Sequence, residues 1–228
     1  MKIYKIATVL SLVIIIGCKE KSEKTENKIY YENFRTGKTL EQTEYNKIND
    51  SVSLDMEVIE SILEKKTIKD STIILYTSMT LPKGMGNPFQ GVSNFIGKEL
   101  PFKELKSLSG EIIDISKNNN KPTLVNLWFT SCPPCIEEMP ELNELKAKFK
   151  GKVNFISITF DKEEKVRKFL QKNEFDFLHF VDARTELDLL NTKVYPTNIF
   201  LNKENEVYYV TANSSGGAFF SKILNRIL

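Results

Sequence analysis

Two cysteines separated by two prolines (CPPC, residues 132–135) are the residues of this chain best suited to chemistry. A CxxC pair at the junction of a strand and a helix is typical of dithiol redox motifs, because its two thiols can close a disulfide. The apolar run 122–129 predicts a buried strand, and 133–150 has helical periodicity. We therefore expect the pair to open a helix at the carboxyl end of a strand.

This placement predicts a different role for each cysteine. Cys132 at the helix N-cap would be exposed, and the helix-terminal N–H groups and macrodipole would favour its thiolate. Cys135 would lie about one turn further in, where it is partly shielded. We expect Cys132 to attack a substrate disulfide, and Cys135 to resolve the mixed disulfide that results.

The two prolines limit the hydrogen bonds that Cys132 can receive. Pro133 would take the first helical position, where its missing N–H costs little. Pro134 removes a second donor, so the backbone N–H of Cys135 remains the main local donor to the Cys132 sulfur. The sequence therefore predicts a less stabilised thiolate, and a dithiol poised toward reduction.

A structural disulfide and half of a metal site are the other interpretations of this motif. A zinc site needs two further ligands, and His179 is the only histidine in the sequence. His179 lies in a short apolar segment (177–180), which favours a histidine of the core or the sheet face. The redox interpretation is preferred because the strand–helix context matches it.

The surrounding pattern alternates strands and helices. We predict strands at 111–116, 122–129, 153–160, 177–181, 197–201 and 206–211, and helices at 133–150, 162–172, 186–191 and 217–228. Such an alternation argues for an α/β fold, with one sheet covered on both faces.

The segment 125–140, which contains the CPPC motif, resembles the active-site segment of TlpA/ResA-like thiol–disulfide oxidoreductases. These are membrane-tethered members of the thioredoxin superfamily. The sequence Val-Tyr-Pro-Thr at 194–197 resembles the cis-proline loop of that superfamily, and 200–207 resembles the hairpin that follows it. The resemblance covers about residues 95–228. It implies a thioredoxin-like fold over 91–228, with a central mixed sheet flanked by helices.

The resemblance also implies roles for residues outside the motif. Tyr195–Pro196 would be a cis peptide, and the backbone of Tyr195 would bind a substrate strand. The alternative is a trans proline in an ordinary loop. Glu138 would handle protons for Cys132 and Cys135, and partial burial would raise its pKa toward the range of a general acid–base. The alternative is a solvated glutamate in the first helical turn.

Two positions depart from relatives of the same superfamily. Asn126 occupies the position at which cytoplasmic thioredoxins place a buried aspartate, and an asparagine cannot act as that base. Ser131 stands where the TlpA/ResA-like family usually has a tryptophan. The usual aromatic lip of the substrate groove is therefore in doubt.

The N-terminus has the layout of a bacterial lipoprotein signal. Two lysines precede an apolar run that ends in Gly-Cys, so residues 1–17 read as a signal peptide and Cys18 as the lipid-attachment residue. The alternative is an ordinary signal peptide with a chance cysteine. Residues 18–28 are highly charged and predict a solvated tether.

Residues 29–90 form an N-terminal extension without chemical motifs. The second half of 52–63 has apolar residues at helical spacing, whereas 72–78 is typical of a strand. The Gly- and Pro-rich segment 81–91 predicts a loop or linker. A packing appendage or spacer is the favoured interpretation of this extension.

Composition limits the partners. The chain has 228 residues and a net charge of +2, which gives no field for binding nucleic acid. We expect a lipid-anchored enzyme of the bacterial cell envelope, facing the periplasm or cell exterior, without a cofactor or metal. Its partners would be protein disulfide or dithiol substrates and a membrane thiol reductant.

The expected activity is reduction of protein disulfides, with cytochrome c maturation as one outcome that the resemblance permits. Three alternatives are a net disulfide oxidase of the same fold, a copper-binding assembly factor on a thioredoxin-like fold, and a non-catalytic binding module. The copper-binding alternative would need a CxxxC spacing and a suitably placed histidine, which CPPC does not supply. Peroxidase activity is disfavoured, because a peroxidatic cysteine does not need a CPPC partner.

Overall fold

The computed structural model describes residues 27–212 and 217–228. The predicted signal peptide (1–17), the predicted lipid-attachment residue Cys18 and all of the tether except its last two residues lie outside these ranges. Within them, no helix is both long and apolar enough to cross a bilayer.

The described chain forms eleven strands and six helices. The strands are β1 (Lys28–Asn33), β2 (Thr39–Glu41), β3 (Met56–Ile68), β4 (Ser71–Pro82), β5 (Glu104–Lys106), β6 (Ile112–Asp114), β7 (Thr123–Leu127), β8 (Asn154–Ile158), β9 (Leu178–Phe180), β10 (Thr197–Leu201) and β11 (Val207–Thr211). The helices are α1 (Gln42–Asp50), α2 (Gln90–Ser93), α3 (Pro133–Lys148), α4 (Glu163–Leu170), α5 (Arg184–Leu190) and α6 (Gly217–Ile227).

A five-stranded mixed sheet forms the centre, in the order β11-β10-β7-β8-β9. Strands β7, β8 and β9 are parallel, and β10 is antiparallel to both β7 and β11. The strands β7 and β10 are buried along their whole length, which explains their nearly continuous apolar sequences.

Helices cover both faces of this sheet. On one face, α3 and α6 contribute Met139, Leu142 and Phe220 to a core with Leu124 and Phe200. On the other face, residues of α2 and α5 pack against the opposite sides of β7, β8 and β10. The predicted α/β, thioredoxin-like fold, with a central mixed sheet flanked by helices, is confirmed.

The N-terminal extension contains a separate four-stranded sheet, in the order β2-β1-β4-β3. One of its faces joins the core of the central domain, because Phe34 and Leu75 belong to the same apolar cluster as Phe219 and Phe220 of α6. The other face is covered by α1, whose Tyr45 stacks on a tyrosine of β1. The extension therefore packs on α6.

The helical face expected within 52–63 is wrong, because most of this segment lies in strand β3. Strand β3 pairs with β4 along its length, with an irregularity in register between Ile62 and Glu64. A bulge interrupts the alternation of side chains. The helical spacing of the apolar residues at 58–63 is thus overridden by the pairing of β3 with β4. The strand predicted at 72–78 is confirmed by β4.

Candidate active site

The CPPC motif opens α3 directly after β7, as predicted. Cys132 is the N-cap of α3 and Pro133 its first residue. The two cysteines form a disulfide with an S–S distance of 2.02 Å. The backbone N–H of Cys135 donates to the Cys132 Sγ at 3.3 Å. The donor that the two prolines were expected to leave as the main local one is therefore present in the oxidised form.

The exposure predicted for Cys132 is wrong in this oxidised form. Cys132 is 2% exposed and Cys135 is 1% exposed, and both belong to the apolar core cluster. Phe129 and Tyr195 are partly buried against the same cluster. The prolines between the two cysteines are exposed instead.

Glu138 lies one turn beyond Cys135 in α3 and is only 4% exposed. The solvated first-turn glutamate considered above is therefore wrong. Its Oε1 accepts from the Asn126 Nδ2 at 2.7 Å, and the Asn198 Nδ2 lies 3.3 Å from both carboxyl oxygens. Asn126, on β7, occupies the position of the buried aspartate of cytoplasmic thioredoxins. It does not supply a carboxylate there but binds the carboxylate of Glu138.

The Tyr195–Pro196 peptide bond is cis. It joins α5 to β10 and lies at the end of the central sheet where the CPPC motif begins. The Tyr195 ring contacts Phe129 and Phe160, with ring centroids 5.4 Å and 5.9 Å apart. Arg184 stacks on the Phe160 ring, with its guanidinium carbon 3.8 Å from the centroid. Phe129 of this aromatic surface lies two residues before Ser131, which stands where the related family usually has a tryptophan.

The loop before Cys132 is held by a carboxylate at the end of β8. Asp161 accepts from both the backbone and the side chain of Thr130. Lys165 binds the other oxygen of the same carboxylate at 2.7 Å. The two strand ends that border the disulfide are thereby linked.

His179 is a buried core histidine, as favoured by the sequence. Its Nε2 lies 2.8 Å from the Phe175 carbonyl and therefore donates to it, which leaves Nδ1 to accept from Ser157 Oγ at 2.6 Å. Burial lowers its pKa. Within the described ranges, no group of three or more His, Cys, Asp or Glu side chains has a geometry that would hold a metal.

Sequence reasoning missed Asn198 and Asp161. Asn198 directly follows the Tyr-Pro-Thr segment inside an otherwise apolar strand, TNIFL, and a polar residue in such a strand signals a buried partner. Asp161 follows the apolar strand β8 at the same edge of the sheet as Cys132. A polar residue just after a buried strand at this edge was the sequence signal that could have placed Asp161 near the site.

Comparisons with known proteins agree with this geometry. Residues 96–210 match the AhpC/TSA family. The chain is 27% identical over 139 residues to the thioredoxin-like protein YneN of Bacillus subtilis, covering 59% of this chain and 81% of that protein. It is 32% identical over 115 residues to the thiol–disulfide oxidoreductase ResA of Bacillus cereus, covering 49% and 66%.

A solved structure shares the fold. The thioredoxin domain of a thiol–disulfide oxidoreductase from Bacteroides vulgatus superposes with a TM-score of 0.52 at 19% identity, covering 58% of this chain and 98% of that domain. At this identity the likeness shows the fold alone. The family match spans residues 96–210 of 228, and the CPPC disulfide lies within it. The chain therefore belongs to the AhpC/TSA family and is a ResA-like thiol–disulfide oxidoreductase of the thioredoxin superfamily.

Proposed function

We propose that this enzyme reduces protein disulfides outside the cytoplasm. The observation that carries the proposal is the CPPC disulfide at the start of α3, with the carboxyl group of Glu138 buried one turn further along. The Cys135 N–H is the local donor to Cys132. A thiolate with few donors is less stabilised, which favours a reducing dithiol.

In the proposed cycle, the Cys132 thiolate attacks one sulfur of a substrate disulfide and releases the other sulfur as a thiolate. Glu138 then takes the proton of the Cys135 thiol. The Cys135 thiolate attacks Cys132, which forms the intramolecular disulfide and expels the second substrate sulfur, and that sulfur receives a proton. The substrate gains two electrons, and the enzyme is left oxidised.

The cis-proline loop is the proposed substrate-binding element. The backbone of Tyr195 would pair with an extended substrate segment beside Cys132, and Pro196 would fix the turn. The aromatic surface of Phe129, Phe160 and Tyr195 would contact the substrate in place of the missing tryptophan.

The cellular setting is also part of the proposal. Acylation of Cys18 would anchor the mature protein to the membrane of the bacterial cell envelope, facing the periplasm or cell exterior. A membrane thiol reductant would restore the dithiol. Cytochrome c maturation is one pathway in which such a reductase would serve.

Trapping of a mixed disulfide tests the function. Cys135→Ser should accumulate a covalent complex with the substrate, because the resolving thiol is absent, whereas Cys132→Ser should capture none. Equal capture by both variants would contradict the assigned roles. Equilibration with glutathione tests the direction: a potential close to the about −120 mV of a strong periplasmic oxidant would contradict a reductase.

A further inference from the structure

Asn126 and Asn198 face each other across the central sheet. They are directly paired in the antiparallel register of β7 and β10, so their side chains point to the same face. Asn126 is 1% exposed and Asn198 is 0% exposed. Glu138 reaches this face from α3, and all three polar side chains meet inside the core.

The three side chains form a closed ring of hydrogen bonds. The Nδ2 of Asn126 donates to Glu138 Oε1 at 2.7 Å and to Asn198 Oδ1 at 2.9 Å. The Nδ2 of Asn198 is 3.3 Å from both oxygens of Glu138. The carbonyl of Asn198 is thus occupied by Asn126, which orients the Asn198 amide with its nitrogen toward the carboxylate.

This arrangement matches the ionised form of the Glu138 carboxyl group. An ionised carboxylate only accepts hydrogen bonds, whereas a protonated one adds an O–H donor. Both asparagine nitrogens present donors to the Glu138 oxygens. Burial disfavours the charged form of a carboxyl group, and donors aimed at it favour that form. The asparagine pair therefore opposes the effect of burial.

The charged groups on the neighbouring elements are directed to other partners. Strands β7, β8 and β10 carry no ionisable side chain. The remaining titratable groups and their partners are His179 on β9 with Ser157 and Phe175, Lys146 and Lys148 of α3 with Asp176 and Ser221, Glu141 of α3 with Gly217, Lys222 and Arg226 of α6 with Phe34 and Glu64, and Tyr209 of β11 packed on Phe200 and Phe219. Cys132 and Cys135, the exposed Glu137 and Glu144 of α3, and the partly buried Tyr208 of β11 are the other titratable groups on these elements.

We propose that Asn126 and Asn198 are positioning residues, which keep Glu138 ionised and oriented to take the proton of Cys135. This role rests on the proposed proton transfer from Cys135 to Glu138. In addition, the two asparagines would set the pH range in which that transfer occurs. Asn198 also lies two residues after Pro196 in the chain. The strand that carries the substrate-binding loop thus supplies one of the donors that hold the base.

The proton transfer itself is balanced within the site. Cys135 S–H gives its proton to the Glu138 carboxylate and becomes a thiolate. After this thiolate displaces the substrate sulfur from Cys132, the departing thiolate recovers the proton and the carboxylate is ionised again. No external acid or base is consumed, so the asparagine pair acts on the same carboxylate before and after each turnover.

The test is a single-turnover reaction of the reduced enzyme with DTNB, followed by stopped flow across pH. The first release of thionitrobenzoate reports attack by Cys132, and the second reports resolution by Cys135. Asn126→Val and Asn198→Val each remove a donor, so the carboxylate should become protonated at higher pH. We expect the pH at which the rate of the second phase is half-maximal to rise by about one unit in each variant. The rate of the first phase should be unchanged.

A matched control is Asn154→Val on β8, which removes partly buried amide bonds to the Asn118 carbonyl and Thr123 without touching Glu138. It should leave the second phase unchanged. If a valine variant does not fold, Asn198→Thr keeps one hydroxyl in the strand and should still raise the half-maximal pH.

Glu138→Gln separates the inference from the proposed function. If Glu138→Gln abolishes the titration of the second phase and the asparagine variants do not shift it, the positioning role is overturned and the role of Glu138 stands. If Glu138→Gln leaves the second phase unchanged, both are overturned. If Asn154→Val shifts the half-maximal pH of the second phase as much as the two asparagine variants do, the shift is a general structural effect. That result also overturns the inference.

Discussion

The Oδ2 atom of Asp161 accepts two hydrogen bonds from Thr130, from the backbone N–H at 2.7 Å and from the hydroxyl at 2.8 Å. Thr130 lies two residues before Cys132, and Asp161 follows β8. This contact therefore ties the loop that carries the proposed nucleophile to the end of the neighbouring strand. Burial is the largest influence on the Asp161 carboxyl and would raise its pKa, but the bonds from Lys165 and Thr130 together outweigh it and lower the pKa.

Asp161→Ala should destabilise the protein by about 1–3 kcal/mol at neutral pH, because Thr130 loses a charged acceptor. Since the folded pKa is depressed, the stabilisation is complete above the pKa of an unfolded aspartate, and it is lost as pH falls through the folded value. Urea unfolding at several pH values measures the difference from the parent protein, which should shrink in acid.

The control for that variant is Asp176→Ala, which removes an exposed ion pair with Lys146. Exposed pairs of this kind contribute little, so its unfolding midpoint should hardly change. An Asp161→Ala difference that stayed constant down to strongly acidic pH would argue against an ionised Asp161 as the anchor.

The sequence was sufficient to predict the five strands of the central sheet and helices α3 to α6, because each of them has a strong local signal, whereas the short α2 and β5 were missed. Strands such as β7 are apolar throughout, and CPPC followed by helical periodicity identifies the start of α3. The sequence did not decide whether Glu138 is buried or solvated, since its spacing from Cys135 does not show how α3 is rotated against the sheet. Its partner Asn198 lies 72 residues from Asn126 in sequence, and only the register of β7 and β10 brings the two together.

The N-terminal sheet was predicted less well, because its strands are partly exposed and have weak alternation. Strand β1 pairs in parallel with β4, which is distant in sequence, and no local signal reveals such a pairing. The apolar residues at 58–63 have a helical spacing, but their pairing with β4 places them in a strand. In this part of the chain, tertiary contacts decide the structure and local preference does not.

Phe34→Ala tests whether the extension and the central domain unfold together. Phe34 is 2% exposed and packs on Phe219 of α6, with ring centroids 5.9 Å apart. Truncation of a buried phenylalanine typically costs about 3–5 kcal/mol. We expect this loss to appear in one cooperative thermal transition, because both parts share a single apolar cluster.

Leu54→Ala is the control for Phe34→Ala, since Leu54 is 93% exposed and should change stability by less than about 0.5 kcal/mol. Two separate transitions in Phe34→Ala, with the one for the central domain unshifted, would show that the extension is energetically independent.

Tyr195→Ala tests the aromatic surface beside the cis-proline loop. The variant removes the ring contacts of Tyr195 with Phe129 and Phe160, which are worth about 0.5–1.5 kcal/mol per pair. If this surface binds protein substrates, kcat/KM for a protein disulfide should fall by about 2- to 10-fold. The rate with a small aliphatic disulfide should change much less, since such a substrate does not reach the rings.

The matched control is Tyr30→Ala in β1, which is partly buried but lies in the N-terminal sheet. It should alter neither rate. Equal losses of Tyr195→Ala on large and small disulfides would place its effect on the chemistry of Cys132 and not on binding.

His179→Gln tests the pH dependence of stability. Burial is the largest influence on His179 and lowers its pKa, and the bond to the Phe175 carbonyl only partly opposes this. The neutral ring is therefore favoured in the folded state. Stability should be complete above the pKa of an unfolded histidine, about 6.5, and should fall as pH drops below it, because the unfolded chain then binds a proton more readily.

Urea midpoints between pH 8 and pH 5 measure this effect. The parent protein should lose stability over that interval, and His179→Gln should lose less, because glutamine does not titrate. At pH 8 the variant should be the less stable of the two, since Ser157 and Phe175 lose the geometry that the imidazole provides. Parallel pH profiles for the two proteins would mean that another group, and not His179, is responsible for the loss in mild acid.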